Sequence, residues 1–157
     1  MPCEMVDPIE IIKKEHQIIQ KYISELDEMT YSVSVNVRDL SFMFKEVFRF
    51  LEQHEKKEEL LFEALSDGGY EIAIEQVKFE HGDIKEKRDI VLKAINKGDE
   101  GEIKGVLHIE CAELVDRIKA HILAEEGAMD KIRWDKVDKD TVEKIELLQI
   151  VPSRKLL

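Results

Sequence analysis

Residues 37–65 read VRDLSFMFKEVFRFLEQHEKKEELLFEAL, and within them Val37, Leu40, Phe44, Val47, Leu51, His54, Glu58, Leu61 and Leu65 recur at alternating steps of three and four. That spacing keeps all nine side chains on one stripe of an α-helix. A strand would need a period of two, so the stretch decides for helix. The stripe is apolar except at two consecutive positions, where His54 and Glu58 stand in what is otherwise core.

Working outward, three more stretches carry the same signature. Before it, Ile9, Ile12, His16, Ile19, Ile23 and Leu26 form a seam with a histidine in a core position. Asp7 suits the cap of that helix, Pro8 its first turn and Glu10 the far side of a capping box. The helix fades near Thr30, and residues 31–36 read as a connection with Asn36 as the next cap. After it, Asp67-Gly68-Gly69 stops the second helix. A third is expected from about Tyr70 to Asn96, with Tyr70, Ile74, Val77, His81, Ile84, Val91 and Ile95 on one seam and Arg88 as its charged break. Lys97-Gly98-Asp99 separates it from a fourth, carrying Leu107, Cys111, Leu114, Ile118, His121, Glu125 and Ala128. Here too a glutamate follows a core histidine by four residues, making a weak pseudo-repeat of two helical pairs.

Short connections between long amphipathic helices predict an all-α, antiparallel up-down-up-down four-helix bundle over about residues 8–130. The extension 131–157 is expected to hold one short helix, opened by a capping box of Asp140 and Glu143 and running through Ile145, Leu148 and Ile150 to Pro152. It would pack on the bundle with Trp134, giving a single domain over 1–157.

Composition agrees and excludes several roles. The chain has 157 residues, 38% of them charged and only 6% aromatic, with seven Gly and three Pro. A net charge of −11 argues against nucleic acid and against an anionic membrane surface. No apolar run is long enough for a membrane span, and no signal peptide is evident. Cys3 and Cys111 lie far apart and form no CxxC pair, which suits a reducing, cytoplasmic compartment.

The polar seam positions point to a metal site. His54 lies 12 residues before Ser66, and His81 lies 11 after Tyr70. At 1.5 Å per residue both sit about 17 Å from the same end of the bundle. Similar counting puts His16 and His121 at that level. Residues four apart share a helix face, so His54 with Glu58, and His121 with Glu125, each offer one nitrogen and one oxygen ligand. Two glutamates buried face to face would cost several kcal/mol without cations between them. Four imidazoles and two carboxylates suit two first-row metals, iron or manganese ahead of zinc or copper; calcium and magnesium prefer oxygen alone. His108 is off the seam and reads as a surface residue. Glu55, Glu59 and Glu126 read as flanking carboxylates, either supporting the ligands or solvated, and Cys111 as core packing.

At these residues the sequence resembles the hemerythrin-like, or HHE cation-binding, domain: His16, then His54 with Glu58, then His81, then His121 with Glu125, over about residues 8–130. The resemblance implies a four-helix bundle with a non-haem di-iron centre whose two carboxylates bridge the irons beside an oxo or hydroxo group; on the donor set alone, manganese or zinc would also be accepted. The oxygen carriers of that family have a further histidine one turn after the third-helix ligand; Lys85 stands there instead. The pattern is in this respect closer to the di-iron proteins that repair iron-sulfur clusters, although those commonly carry a separate cysteine-containing N-terminal domain. Only Met1 to Asp7, with Cys3, precede the bundle here.

The expected function is therefore binding or sensing of a small diatomic ligand, oxygen or nitric oxide, with Tyr22 or Tyr70 as possible helpers. The alternative is a di-iron enzyme or iron donor acting in nitrosative or oxidative stress or in cluster repair. Ferritin-type storage uses Glu-x-x-His pairs, and none of the five histidines has a glutamate three residues before it. A purely structural bundle would bind no metal.

Overall fold

A computed structural model describes residues 7–32 and 36–148. Four long helices, α1 (Pro8–Tyr31), α2 (Val37–Asp67), α3 (Ile74–Lys97) and α4 (Glu100–Met129), are followed by a 3-10 turn (Trp134–Lys136) and a short α5 (Lys139–Leu147). The long helices form an up-down-up-down bundle in which α1 packs on α2 and α4, and α3 on α2 and α4. The expected fold class is borne out.

Helix ends follow local chemistry. Asp7 accepts the Ile9 N–H at 2.9 Å, Asn36 the Arg38 N–H at 2.7 Å, and Asp99 the Glu102 N–H at 2.9 Å. Each satisfies a donor that the first turn leaves open. At the far end of α2 the chain makes a Schellman closure. Gly69, at φ 91°, donates to Ser66 O, and Tyr70 donates to Leu65 O. That closure corrects the expected start of α3. Tyr70 belongs to the end of α2, so the third helix begins at Ile74, behind Ala73, which has no side-chain cap.

The short C-terminal helix also starts earlier than expected. Its cap is Asp138, which takes the Thr141 N–H at 3.0 Å, and not Asp140. The Tyr70 hydroxyl fixes that choice, donating to Asp138 Oδ1 and accepting the Asp138 N–H, both at 2.9 Å. α5 packs against α2, and Trp134 lies against the same apolar cluster. Ile150, Pro152 and Cys3 lie outside the described residues.

The interior is two apolar clusters separated by a polar belt. One cluster, around Phe44, Phe48, Val91, Leu107 and Leu114, fills the end where α1 meets α2. The other, around Ile12, Phe62, Leu65, Val77 and Met129, fills the end closed by α5. Each fully buried Leu, Ile or Phe contributes about 1.5–3 kcal/mol relative to exposure. The belt between them holds His16, His54, Glu58, His81, His121 and Glu125, all buried.

Candidate metal centre

All six sequence-predicted residues meet in that belt. Ile19, Leu51, Ile84 and Ile118 are each one helical turn from a histidine on one side, and Ile12, Leu61, Val77 and Met129 occupy the other. Apolar layers therefore flank the belt in both directions along the bundle.

The geometry has two levels. Inside, the histidine Nε2 atoms converge on two carboxylates. His54 Nε2 is 2.9 Å and His81 Nε2 3.4 Å from Glu58 Oε1, and His16 Nε2 is 3.3 Å from Glu58 Oε2. His121 Nε2 is 2.6 Å and His16 Nε2 3.8 Å from Glu125 Oε1. The rings pair edge to face, His16 with His54 at 4.8 Å and His81 with His121 at 4.7 Å. Two groups of potential ligands result: His16, His54 and Glu58, and Glu58, His81, His121 and Glu125, with Glu58 common to both.

Outside, the Nδ1 atoms meet a ring of carboxylates. His54 Nδ1 donates to Glu15 Oε1 at 2.9 Å, His16 Nδ1 to Glu126 Oε1 at 3.2 Å, and His121 Nδ1 to Glu80. His81 Nδ1 has only Glu59 Oε1, at 3.9 Å. Each helix directs an acid toward the histidine on the next helix around the bundle, and three of the four acids reach it. The reason is the handedness of the α-helix. One step back along an upward helix and one step on along a downward helix turn a side chain the same way about the bundle axis. Sequence reasoning placed Glu59 and Glu126 beside the ligands but missed Glu15 and Glu80. Their signal was present, since each directly precedes a seam histidine.

A carboxylate on Nδ1 fixes the imidazole tautomer that leaves Nε2 a free lone pair pointing inward. Charges respond accordingly. Burial opposes the imidazolium of His54, but the Glu58 charge and the hydrogen bond to Glu15 outweigh it and carry the group up to about 9. Burial also opposes ionisation of Glu58, yet His54 and hydrogen bonds from its neighbours hold it well below the usual carboxylate range. For Glu125, burial and then the Glu58 charge push far above that range. The belt accommodates one carboxylate charge and resists the second.

The donor set fits metal ions. His54 Nε2, His81 Nε2, His121 Nε2 and both oxygens of Glu125 are buried without hydrogen-bond partners. The short separations of these three Nε2 atoms lack the alignment of a hydrogen bond, whereas His16 Nε2 makes one with Glu58 Oε2. Cations between them would satisfy these atoms and permit Glu125 to ionise.

Other expected residues fall where they do no chemistry at the belt. His108 stacks edge to face on Tyr31 at 4.8 Å, Cys111 is buried in the apolar cluster, and Tyr70 is committed to the α5 cap. Glu55 is different. Its Oε1 is buried without a partner, burial pushes the carboxyl up to about 7, and it lines a pocket of about 240 Å³ with Glu59, His81, Gly82 and Lys85. Among the described residues no helix is long and apolar enough to cross a membrane.

The family model described as the hemerythrin HHE cation binding domain matches residues 7–130. No curated protein and no solved structure matches the chain significantly. Match and cluster together describe a metal-binding protein.

Proposed function

We propose, from the premise that this chain belongs to the hemerythrin HHE cation-binding family, that it is a non-haem di-iron protein that binds or senses oxygen or nitric oxide. The observation that carries this reading is the convergence of four Nε2 atoms on two buried carboxylates, one of them common to both ligand groups. His16 and His54 would hold one iron, His81 and His121 the other, and Glu58 and Glu125 would span the pair. Two adjacent ferrous ions supply open coordination positions and electrons for a diatomic ligand. The residues around them do the rest. The Nδ1 carboxylates orient the imidazoles, and the isoleucine and leucine layers keep bulk water out. Manganese or zinc would also suit the donors, and iron is preferred for its mixed nitrogen and oxygen ligation. A cytoplasmic location belongs to this proposal and rests on two cysteines that lie far apart in sequence and form no CxxC pair.

A second reading, a di-iron enzyme or iron donor in nitrosative or oxidative stress or in cluster repair, is favoured by the pocket at His81. Its walls carry Glu55, Glu59, Lys78, Lys85 and Arg88. A portal so charged suits a polar species or a metal ion better than an apolar gas.

Metal content and an optical spectrum, taken on protein purified without chelator, test both readings. The reduced protein is then exposed to oxygen and afterwards to nitric oxide. About two irons per chain, with near-ultraviolet charge-transfer bands that respond to a gas and vanish in His54→Ala, are expected. A metal-free protein whose folding is unchanged by His54→Ala would overturn the di-iron reading.

A further inference from the structure

We infer that the two metal positions are unequal: the one on His16 and His54 fills first and holds, while the one on His81 and His121 exchanges through the pocket between α2 and α3. This rests on the metal-centre reading above and concerns what surrounds each half of it.

In the first half both imidazoles are locked. His54 donates to Glu15 at 2.9 Å, and Glu15 is buried and held from its other side by Lys57 Nζ at 2.8 Å. His16 donates to Glu126 at 3.2 Å. Both rings are oriented before any metal arrives. Little rotamer freedom remains to be lost on binding, and the buried Glu15 charge raises the basicity of the His54 ligand atom.

The second half has one locked ring. His121 is held by Glu80, whose side chain is 30% exposed, much as His16 is held by Glu126 at 34%; the sealed acid is Glu15 at 2%. His81 lacks a lock, because Glu59 stops at 3.9 Å and both of its ring nitrogens are buried without a hydrogen-bond partner. A ring with no outer partner must be ordered by the metal itself. Partners of this kind typically change metal affinity 10- to 100-fold.

Access divides the same way. The pocket beside His81 is lined by Glu55, Glu59, Lys78 and Lys85, with Gly82 also in its lining. A Cβ built at Gly82 meets nothing within 4 Å, so the glycine leaves open space there. The lining carboxylates, Glu59 partly exposed and Glu55 more deeply set, would attract and pass a hydrated divalent cation, and the lysines would limit how long it stays. His81 is the nearest ligand such a cation would meet.

The test is an anaerobic titration of the metal-free full chain with Co(II), followed by its visible ligand-field absorption, and then a chelator challenge. Two steps separated by about tenfold or more are expected, with one equivalent resisting the chelator. His81→Ala should remove the weaker step and keep the tight one, and His16→Ala the reverse. Glu15→Gln should weaken the tight step about tenfold and leave the weaker step and the ligand-field spectrum of the second ion unchanged, which a general loss of structure would not do. Gly82→Leu should slow chelator removal of the second equivalent without altering the first. Two equivalents bound in one step, or a tight step that survives His16→Ala and disappears in His81→Ala, would overturn the inequality while leaving the metal centre standing. No Co(II) bound by the unaltered chain would overturn the metal centre and this inference together. If Glu15→Gln does not fold, the two histidine variants decide the question alone.

Discussion

The α1–α2 and α3–α4 halves of the belt are built from the same short words. Each has a Glu-His pair on its first helix and a histidine followed four and five residues later by Glu-Glu on its second, at 15–16 with 54–59 and at 80–81 with 121–126. The ring pairs repeat too, at 4.8 and 4.7 Å. Surroundings separate them. Glu15 is sealed and neutralised by Lys57, while its counterpart Glu80 faces solvent and takes a hydrogen bond from Gln76 of its own helix at 3.1 Å. A repeated ligand pattern therefore does not make repeated sites, because the worth of an outer carboxylate depends on its burial.

The largest effect is expected where the halves join. Glu58→Gln removes the one carboxylate common to both groups, and elemental analysis should find the metal content falling from about two per chain to less than one. Retention of two would show that the halves do not depend on Glu58.

Next in size is the pH dependence of the metal-free chain. His54 is raised to about 9 and His81 is raised as well, while burial and the Glu58 charge keep Glu125 neutral. A histidine whose pKa is raised in the folded state stabilises fully below its unfolded value near 6.5 and stops doing so as pH rises through the folded value. A carboxyl kept neutral in the folded chain acts in the same direction over that window, since the unfolded chain ionises freely. Stability of the metal-free protein should therefore fall by a few kcal/mol between pH 6.5 and 9, measured by urea unfolding. Bound metal should flatten the curve. His54→Ala, more than His81→Ala, should flatten it in the metal-free chain.

A smaller effect compares the outer acids. Lys57→Met leaves Glu15 buried with His54 as its remaining partner and should cost about 1–3 kcal/mol. Gln76→Leu beside the half-exposed Glu80 should cost less than about 0.5 kcal/mol. Equal losses in thermal unfolding would erase the distinction between the halves. Smallest is Gly82→Ala, with open space around the new methyl. It should stabilise α3 by about 0.5–1 kcal/mol, and a loss instead would mean that the pocket lining is tighter than described.

Much of this was legible beforehand. The bundle follows from the 3-4 spacing of residues such as Leu40, Phe44, Val47 and Leu51, because that period admits only one helix face. The meeting of the six belt residues follows from counting 1.5 Å per residue along antiparallel helices. Of the two misplaced helix starts, that of α3 follows from the local closure of α2 through Gly69, and that of α5 had a tertiary cause. Tyr70 is drawn into the closure of α2 and pinned to Asp138, a residue 68 positions away, and no local propensity encodes that contact.

Sequence by itself therefore determined the helices, the antiparallel bundle and which six side chains share one level, since these depend on periodicity and chain length. Only the tertiary structure decided which acid serves which histidine. Glu15, Glu59, Glu80 and Glu126 occupy similar positions beside the seam. Yet one is sealed with a lysine, one falls short of its imidazole, and two hold a ring from a partly exposed position. That outcome depends on how closely neighbouring helices approach and on what else covers each carboxylate, distances that a one-dimensional pattern does not contain.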